Sequence, residues 1–160
     1  MNSESFAFYI AILRKYFVSY CTEKISGFGV TYSQLFVLIY ISKKNECSSK
    51  EIVEYLKIDA GQLNRILSKL SEKDLIIQRK NSNDRRFNVL SLTQNGIKIV
   101  EESHKLFYSW DTQVLSDIDD NSREELMDLM KKLILKLNEK EGGKQNEQIE
   151  RFYGNIDRKL

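Results

Sequence analysis

Apolar residues recur every three to four positions along most of the chain, which is the spacing of helices that bury one face. The first such stretch starts after Ser3 or Ser5 and reaches about Ile25, and its apolar residues lie on more than one side. A still more apolar stretch runs from Tyr32 to about Lys43 behind the capping box Thr31-x-x-Gln34. This pattern predicts a first helix that is covered on several sides, followed by a core helix.

Two short helices joined by a tight turn are predicted next. Asn45 to Cys47 is a short connection, and Ser48-x-x-Glu51 is a second capping box that opens a helix ending near Leu56. Asp59 then caps another helix, which buries one stripe: Leu63, Ile66, Leu67 and Leu70. Two short helices in this arrangement form a helix-turn-helix, whose second helix enters the major groove of DNA.

The outward face of the second helix carries short polar and cationic side chains. Arg65 lies at its centre, and its neighbours one turn away are Gly61 and Lys69, so no acidic partner is close. An arginine in this position can donate two hydrogen bonds to guanine, although a solvated helix charge is the plainer alternative. Ser49 can bond a phosphate or cap its helix. The residues predicted to contact DNA from these two helices are Ser49, Gly61, Gln62, Asn64, Arg65, Ser68 and Lys69.

After the second short helix, the spacing of apolar residues changes from a helical one to a period of two residues. Ile76 to Lys80 and Phe87 to Leu92 are predicted strands, joined by the turn formers of 81–84. Arg85 and Arg86 lie at the tip of this hairpin, where the alternative to a DNA contact is a merely charged turn.

Two further amphipathic helices follow the hairpin. Thr93 can cap a helix whose apolar spacing continues to Ile118, and Ser122-x-x-Glu125 predicts a last helix that Gly142-Gly143 ends. The chain is therefore predicted to be mainly α with a small β-hairpin wing, an α+β fold. A winged helix-turn-helix lobe occupies 31–92, and helices at 4–26 and 94–140 form a dimerisation lobe within a single domain, 1–143. Residues 144–160 are an extension with one more predicted short helix.

Charge is distributed unevenly in this chain of 160 residues and net charge +2. Residues 59–92 contain seven Lys/Arg and four Asp/Glu, whereas residues 93–130 contain three and nine. The stretch rich in lysine and arginine coincides with the predicted helix-turn-helix and wing, as expected for a DNA-binding surface.

The chain shows no signal peptide, and its longest apolar run is shorter than the roughly 20 residues of a membrane span, so a soluble, cytoplasmic protein is expected.

The residue types needed for catalysis or metal binding are sparse. No Gly-rich phosphate loop, no His partner for either cysteine and no cluster of carboxylates is found, so neither an enzyme nor a cofactor is expected. His104 is the only histidine, which disfavours a metal site. Cys21, near Tyr20 and Lys24, is a candidate redox thiol, with a structural role as the alternative, and Cys47 is expected to be a loop residue.

The run from Asp84 to Gly96 resembles the wing signature of the MarR (multiple antibiotic resistance regulator) family: Asp-x-Arg, five residues, Leu-Thr, two residues and Gly. Leu63 to Ile76 resembles the family's recognition helix and its exit, with Asp74 where members generally have Gly, and Thr31-x-x-Gln34 resembles the start of its second helix. Aspartate tolerates the left-handed conformation that such an exit requires.

This resemblance implies a homodimeric winged helix-turn-helix transcription regulator that binds double-stranded DNA, usually as a repressor. It implies that one wing arginine enters the minor groove and that Asp84 orients it; Arg86 occupies the signature position. It also implies release by a small aromatic or phenolic ligand or by thiol oxidation. In a fold of this kind a crevice lies between the lobes, and the residues placed to line it are Phe8, Tyr9, Phe17, Tyr32 and Phe36.

Two other interpretations remain open at this point. A winged-helix module that binds another protein and no DNA would present an acidic or apolar recognition face, whereas Arg79, Lys80 and the other basic residues of this face predict the opposite. A thiol-based redox regulator would use Cys21, although the reactive cysteine of redox-sensing relatives lies early in the first helix and Cys21 lies near its end.

Overall fold

The structure is a computed structural model that describes residues 5–80 and 88–140. Its helices are α1 (Phe6–Ile25), α2 (Tyr32–Lys44), α3 (Ser49–Leu56), α4 (Ala60–Glu72), α5 (Gln94–Val114) and α6 (Asp120–Lys140), with a 3₁₀ turn at Ser26–Phe28. Its strands are β1 (Cys47–Ser48), β2 (Ile76–Lys80) and β3 (Asn88–Leu92). The mainly helical fold with a small antiparallel sheet agrees with the prediction.

The helices α2, α3 and α4 begin where the sequence places their caps. Thr31 accepts from the amide of Gln34 (3.3 Å), and the Gln34 side chain accepts from the amide of Thr31 (3.0 Å). Ser48 and Glu51 form the same reciprocal pair at α3. Asp59 accepts from the amide of Gln62 (2.8 Å) at α4. These local bonds satisfy helix-start amides that have no partner within their own helix.

The core of the winged lobe forms around α2. Leu35, Val37, Leu38 and Ile41 on this helix are completely buried, and the inward stripe of α4 packs in the same core. Among the described residues, no single helix is long and apolar enough to cross a bilayer. The helices α1 and α2 are long and apolar enough only when they are taken together, and the chain bends by 80° at the break between them.

The sheet has three strands in the order β1-β3-β2, one more than the predicted hairpin. Cys47 pairs with Leu90 and Ser48 with Val89, so the prediction that Cys47 lies in a loop was wrong. A strand of two residues is too short to show a periodicity, and its place is set by β3, more than forty positions later.

The exit of α4 and the start of α5 form one tightly packed joint. Asp74 has a φ of 53°, the left-handed conformation expected for this position. Thr93 donates from its hydroxyl to the Asp74 carbonyl (2.7 Å) and accepts from the amide of Gly96 (3.1 Å), which confirms it as the α5 cap. A Cβ on Gly96 would lie 2.2 Å from the carbonyl oxygen of Leu75. The Leu-Thr-x-x-Gly part of the wing signature therefore serves to pack this joint.

The chain divides into two compact units, Met1–Trp110 and Asp111–Leu160. Two predictions in the second unit were wrong: α5 ends at Val114 and does not continue to Ile118, and Asp119, not Ser122, caps α6. Asp119 accepts from the Ser122 amide (3.1 Å) and hydroxyl (2.7 Å), and these bonds lower the pKa of its carboxyl group. The predicted helix end at Gly142-Gly143 and the extension 144–160 lie outside the described residues.

Candidate nucleic-acid interface

Helix α4 has one buried and one exposed face. Leu63, Ile66, Leu67 and Leu70 are at most 8% exposed, which fixes the rotation of the helix about its axis. The opposite face therefore turns to solvent as predicted: Gln62 is half-buried, and Gly61, Asn64, Arg65, Ser68 and Lys69 are exposed. A Cβ on Gly61 would lie 3.1 Å from Oδ1 of Asp59, so this glycine leaves room for the cap.

Two cations dominate the exposed face. Within residues 5–80 and 88–140, neither Arg65 nor Lys69 forms an ion pair. Both line an open cavity of about 300 Å³, which also contacts the start of α2 at Thr31, Ser33 and Gln34. Because Arg65 forms no ion pair with a described residue, its planar, five-donor head group is available for a guanine edge or a phosphate.

Two predicted contact residues have surroundings that the sequence did not indicate. The hydroxyl of Ser68 donates to the carboxylate of Glu72 (3.0 Å), which brings an acidic group to the edge of the polar face. Ser49 is half-buried and does not cap α3, because Ser48 provides the cap. Its hydroxyl therefore needs no role in capping and is compatible with the predicted phosphate contact.

The wing is only partly described. Asp84, Arg85 and Arg86 lie outside the described residues. In β2, the guanidinium group of Arg79 donates to the carboxylate of Glu46, so its charge is compensated, while Lys80 is exposed. Gln78 donates from its amide to the hydroxyl of Ser71 (2.9 Å), which ties the strand to α4. Lys73 likewise donates to the carbonyl of Gly29 and ties the end of α4 to the turn after α1.

An aromatic cluster joins α1, α2 and α5. Three of the five predicted ligand-contacting residues belong to it: Phe17 lies 6.3 Å from Tyr32 between ring centroids, and Tyr32 lies 4.6 Å from Phe36. The other two, Phe8 and Tyr9, are exposed on α1 and make no ring contact with described residues. The structure adds three members that were not predicted from the sequence: Tyr20, Phe107 and Trp110.

Both thiols are buried in the single chain. Cys21 is completely buried, and burial raises the pKa of its thiol to about 11. Cys47 is 4% exposed, and burial raises the pKa of its thiol to about 12. The charge of Glu51 adds to this rise, whereas the charge of Lys44 opposes it. Buried thiols with raised pKa values react slowly, which argues against the redox role considered for Cys21.

In the described part of the chain no group of three His, Cys, Asp or Glu side chains could hold a metal ion.

Comparisons with known proteins agree with this geometry. A model of the MarR family matches residues 28–86. The HTH-type transcriptional regulator BilQ of Clostridium symbiosum is 34% identical over 130 residues, which cover 81% of this chain and 90% of that protein. The crystal structure of reduced MarR from E. coli matches with a TM-score of 0.75 at 25% identity, over 81% of this chain and 96% of that one. A mutant MarR from E. coli complexed with operator DNA matches with a TM-score of 0.68 at 26% identity, over 78% of this chain and 89% of that one.

Proposed function

The chain belongs to the MarR family of winged helix-turn-helix transcription regulators, and from this premise we propose that it is a homodimeric repressor of transcription. It is a DNA-binding regulator and not an enzyme, as the names of its relatives and the shared fold indicate. We further propose that α4 reads a pseudo-palindromic operator and that a small aromatic effector releases it.

The observation that carries this proposal is the outward face of α4. Its inner side is fixed by four buried apolar residues, and its outer side presents Arg65 and Lys69 without an ion pair among the described residues. A module that binds an apolar or basic protein surface would present the opposite character here. A cationic, hydrogen-bonding helix of this kind suits the major groove, where the edges of the base pairs are distinguishable.

Exposed apolar side chains support a dimer. In α1 and α6 many large hydrophobic residues remain at least 37% exposed in the single chain: Phe6, Phe8, Tyr9, Ile10, Leu13 and Tyr16, and Leu126, Met127, Leu129, Leu133 and Leu137. So much exposed apolar surface is typical of a protein interface. A two-fold axis would then place the two recognition helices about 34–36 Å apart, one turn of DNA.

The aromatic cluster supports the effector part of the proposal. Phe17 contacts Tyr32, Phe107 and Trp110, so rings from α1, α2 and α5 meet at one residue. A planar molecule that inserts among these rings would change the relation of α1 to α2 and α5. Such a molecule would lower the affinity of the protein for its operator. The factor is the ratio of the molecule's affinities for the DNA-free and the DNA-bound conformations of the protein.

The effector is tested by screening phenolic and planar hydrophobic compounds for both thermal stabilisation and release of DNA. We expect that a compound which raises the melting temperature of the free protein also weakens operator binding, and that Trp110→Leu reduces both effects together. If no compound in the screen produces either effect, the effector part of the proposal is wrong while the DNA-binding part is unaffected.

The DNA-binding face is tested by Arg65→Ala, titrated against operator and scrambled duplexes. Loss of a bidentate base contact should cost roughly 1–3 kcal/mol per half-site and relax the preference at one position of each half-site, with a smaller effect on scrambled DNA. The matched control is Lys105→Ala on α5, which removes an exposed cation that is paired with Glu102 (2.7 Å). Equal weakening of both duplexes by Arg65→Ala would show that Arg65 does not read bases.

A further inference from the structure

Four polar residues form one stripe along the outer face of α4. Their spacing is i, i+3, i+4 and i+7, which places them above one another on the same side of the helix. The members of the stripe, all of them exposed, are Arg65, Ser68, Lys69 and Glu72. Two are cations and the last is an acid, and Glu72 was not predicted from the sequence to take part in DNA binding.

The side chain of Glu72 has a single partner among the described residues. The hydroxyl of Ser68 donates to its carboxylate (3.0 Å). Neither Lys69 nor another described cation forms an ion pair with it. One such pair adds little to the stability of a helix, so its larger effect concerns the hydrogen bonds that the stripe can offer to a ligand.

The bond to Glu72 determines which hydrogen bonds Ser68 can still make. A serine hydroxyl has one proton and two lone pairs, and an ionised carboxylate can only accept. The proton of Ser68 is therefore committed to Glu72, and the exposed side of the serine oxygen offers lone pairs alone. The second oxygen of the carboxylate can likewise only accept. Near its C-terminal end the stripe thus adds acceptors to the donors of Arg65 and Lys69.

The base edges in the major groove fall into two matching classes. Adenine and cytosine present an amino group there, which donates, whereas guanine and thymine present an acceptor at the corresponding position. A side chain that offers only acceptors therefore favours adenine or cytosine on the strand that it contacts. The phosphates repel a carboxylate, so Glu72 is favourable over base edges and unfavourable against the DNA backbone.

We propose that Ser68 and Glu72 form a specificity-determining pair that selects an amino-bearing base, adenine or cytosine, at one position of each half-site. The inference rests on the proposed function, because it requires α4 to lie in the major groove. Ser68 contacts the base, and Glu72 is a positioning residue that holds the hydroxyl in its accepting orientation. Arg65 and Ser68 are separated by about 4.5 Å along the helix axis, so the selected base lies about one or two base pairs, at about 3.4 Å each, from the base that Arg65 reads.

The test compares the wild type with Ser68→Ala and Glu72→Ala by selection of bound duplexes from a random pool, followed by sequencing. The wild type should favour adenine or cytosine over guanine or thymine at one position of each half-site by roughly three- to tenfold, the effect of one hydrogen bond. Both variants should reduce this ratio to below about twofold at that same position. Ser68→Ala removes the acceptor, and Glu72→Ala frees the hydroxyl to donate as well as to accept. The preference for the base that Arg65 reads should remain.

Two further measurements distinguish this role from a structural one. Both side chains are exposed, so the melting temperature of each variant should stay within about 2 °C of the wild type. The affinity of Glu72→Ala for scrambled duplex should not fall, because a charge that repels phosphates has been removed. The matched control is Glu102→Ala on α5, which removes a carboxylate paired with Lys105 (2.7 Å) and should leave the selected sequence unchanged.

The selections also separate the inference from the proposed function. If the wild type enriches a sequence and both variants enrich it with unchanged preferences, the pair is overturned while the proposed function stands. A preference for guanine or thymine at the position that both variants relax would overturn the pair as well. Relaxation by Ser68→Ala alone would overturn the role given to Glu72. A wild type that enriches no sequence would contradict the proposed function, and the inference would fall with it.

Discussion

At the scale of single residues, the reactivity of the two cysteines distinguishes release from DNA by a bound ligand from release by thiol oxidation. Burial raises the pKa of the Cys21 thiol to about 11, well above the ordinary value for a free thiol of about 8.5. A raised pKa means that the neutral thiol is favoured in the folded state up to that higher pH. At pH 8 the thiolate, which is the reactive form, should therefore be scarce at both cysteines.

We predict that iodoacetamide modifies Cys21 and Cys47 on the order of 100-fold more slowly in the folded protein at pH 8 than in the chain unfolded in guanidinium. The rate in the folded protein should still be rising above about pH 10, where an ordinary cysteine has levelled off. Mass spectrometry of quenched samples measures both rates in one experiment. Modification of Cys21 at the unfolded-chain rate would return the redox mechanism to consideration.

The residues of α4 show what the sequence determines at this scale. The buried stripe specifies which side chains face outward, since each residue advances about 100° around the helix. The spacing could not show that Ser68 bonds Glu72, because serine at that position can equally point to solvent. Nor could it show that Arg79 is compensated, because its partner Glu46 is 33 positions away in the sequence.

At the scale of elements, caps were the most informative local signal. Thr31, Ser48, Asp59 and Thr93 each act at the helix start where the sequence places them, because a cap is satisfied within three residues. Between α5 and α6 this signal was ambiguous: Asp119 and Ser122 both precede a helical pattern, and Asp119 is the cap. The end of α5 was missed because apolar spacing continues to Ile118 beyond the helix.

The joint between α4 and α5 gives a prediction at this scale. Gly96→Ala should lower the free energy of unfolding by about 2 kcal/mol net, because a Cβ would meet a backbone oxygen and the gain in helix propensity is smaller. That oxygen, on Leu75, lies 2.2 Å from the position that the new methyl group would take and cannot move without shifting the α4 exit. Urea denaturation measures the change.

Gly27→Ala is the matched control, because no atom lies within 4 Å of its Cβ position and its φ is not positive. It should change stability by no more than about 0.5 kcal/mol. If Gly96→Ala is as stable as Gly27→Ala, the joint is looser than the structure indicates, and the glycine of the wing signature needs another explanation.

At the scale of the whole molecule, the apolar and basic patterns predicted a winged lobe between outer helices, and the described residues agree with that order of elements. What the sequence could not specify is set by contacts between distant segments. The aromatic cluster combines Phe17 with Phe107 and Trp110, some ninety positions apart in the chain, and a helical period in either segment shows only that each ring is on an inner face.

The central claim is that two copies of α4, related by a two-fold axis, read a specific DNA sequence. Selection of bound duplexes from a random pool, followed by sequencing, tests it most directly because no operator need be known beforehand. We predict enrichment of inverted half-sites with centres about 10–10.5 base pairs apart, and loss of preference at one position of each half-site with Arg65→Ala. Recovery of single half-sites, or of no enriched sequence at all, would contradict the claim.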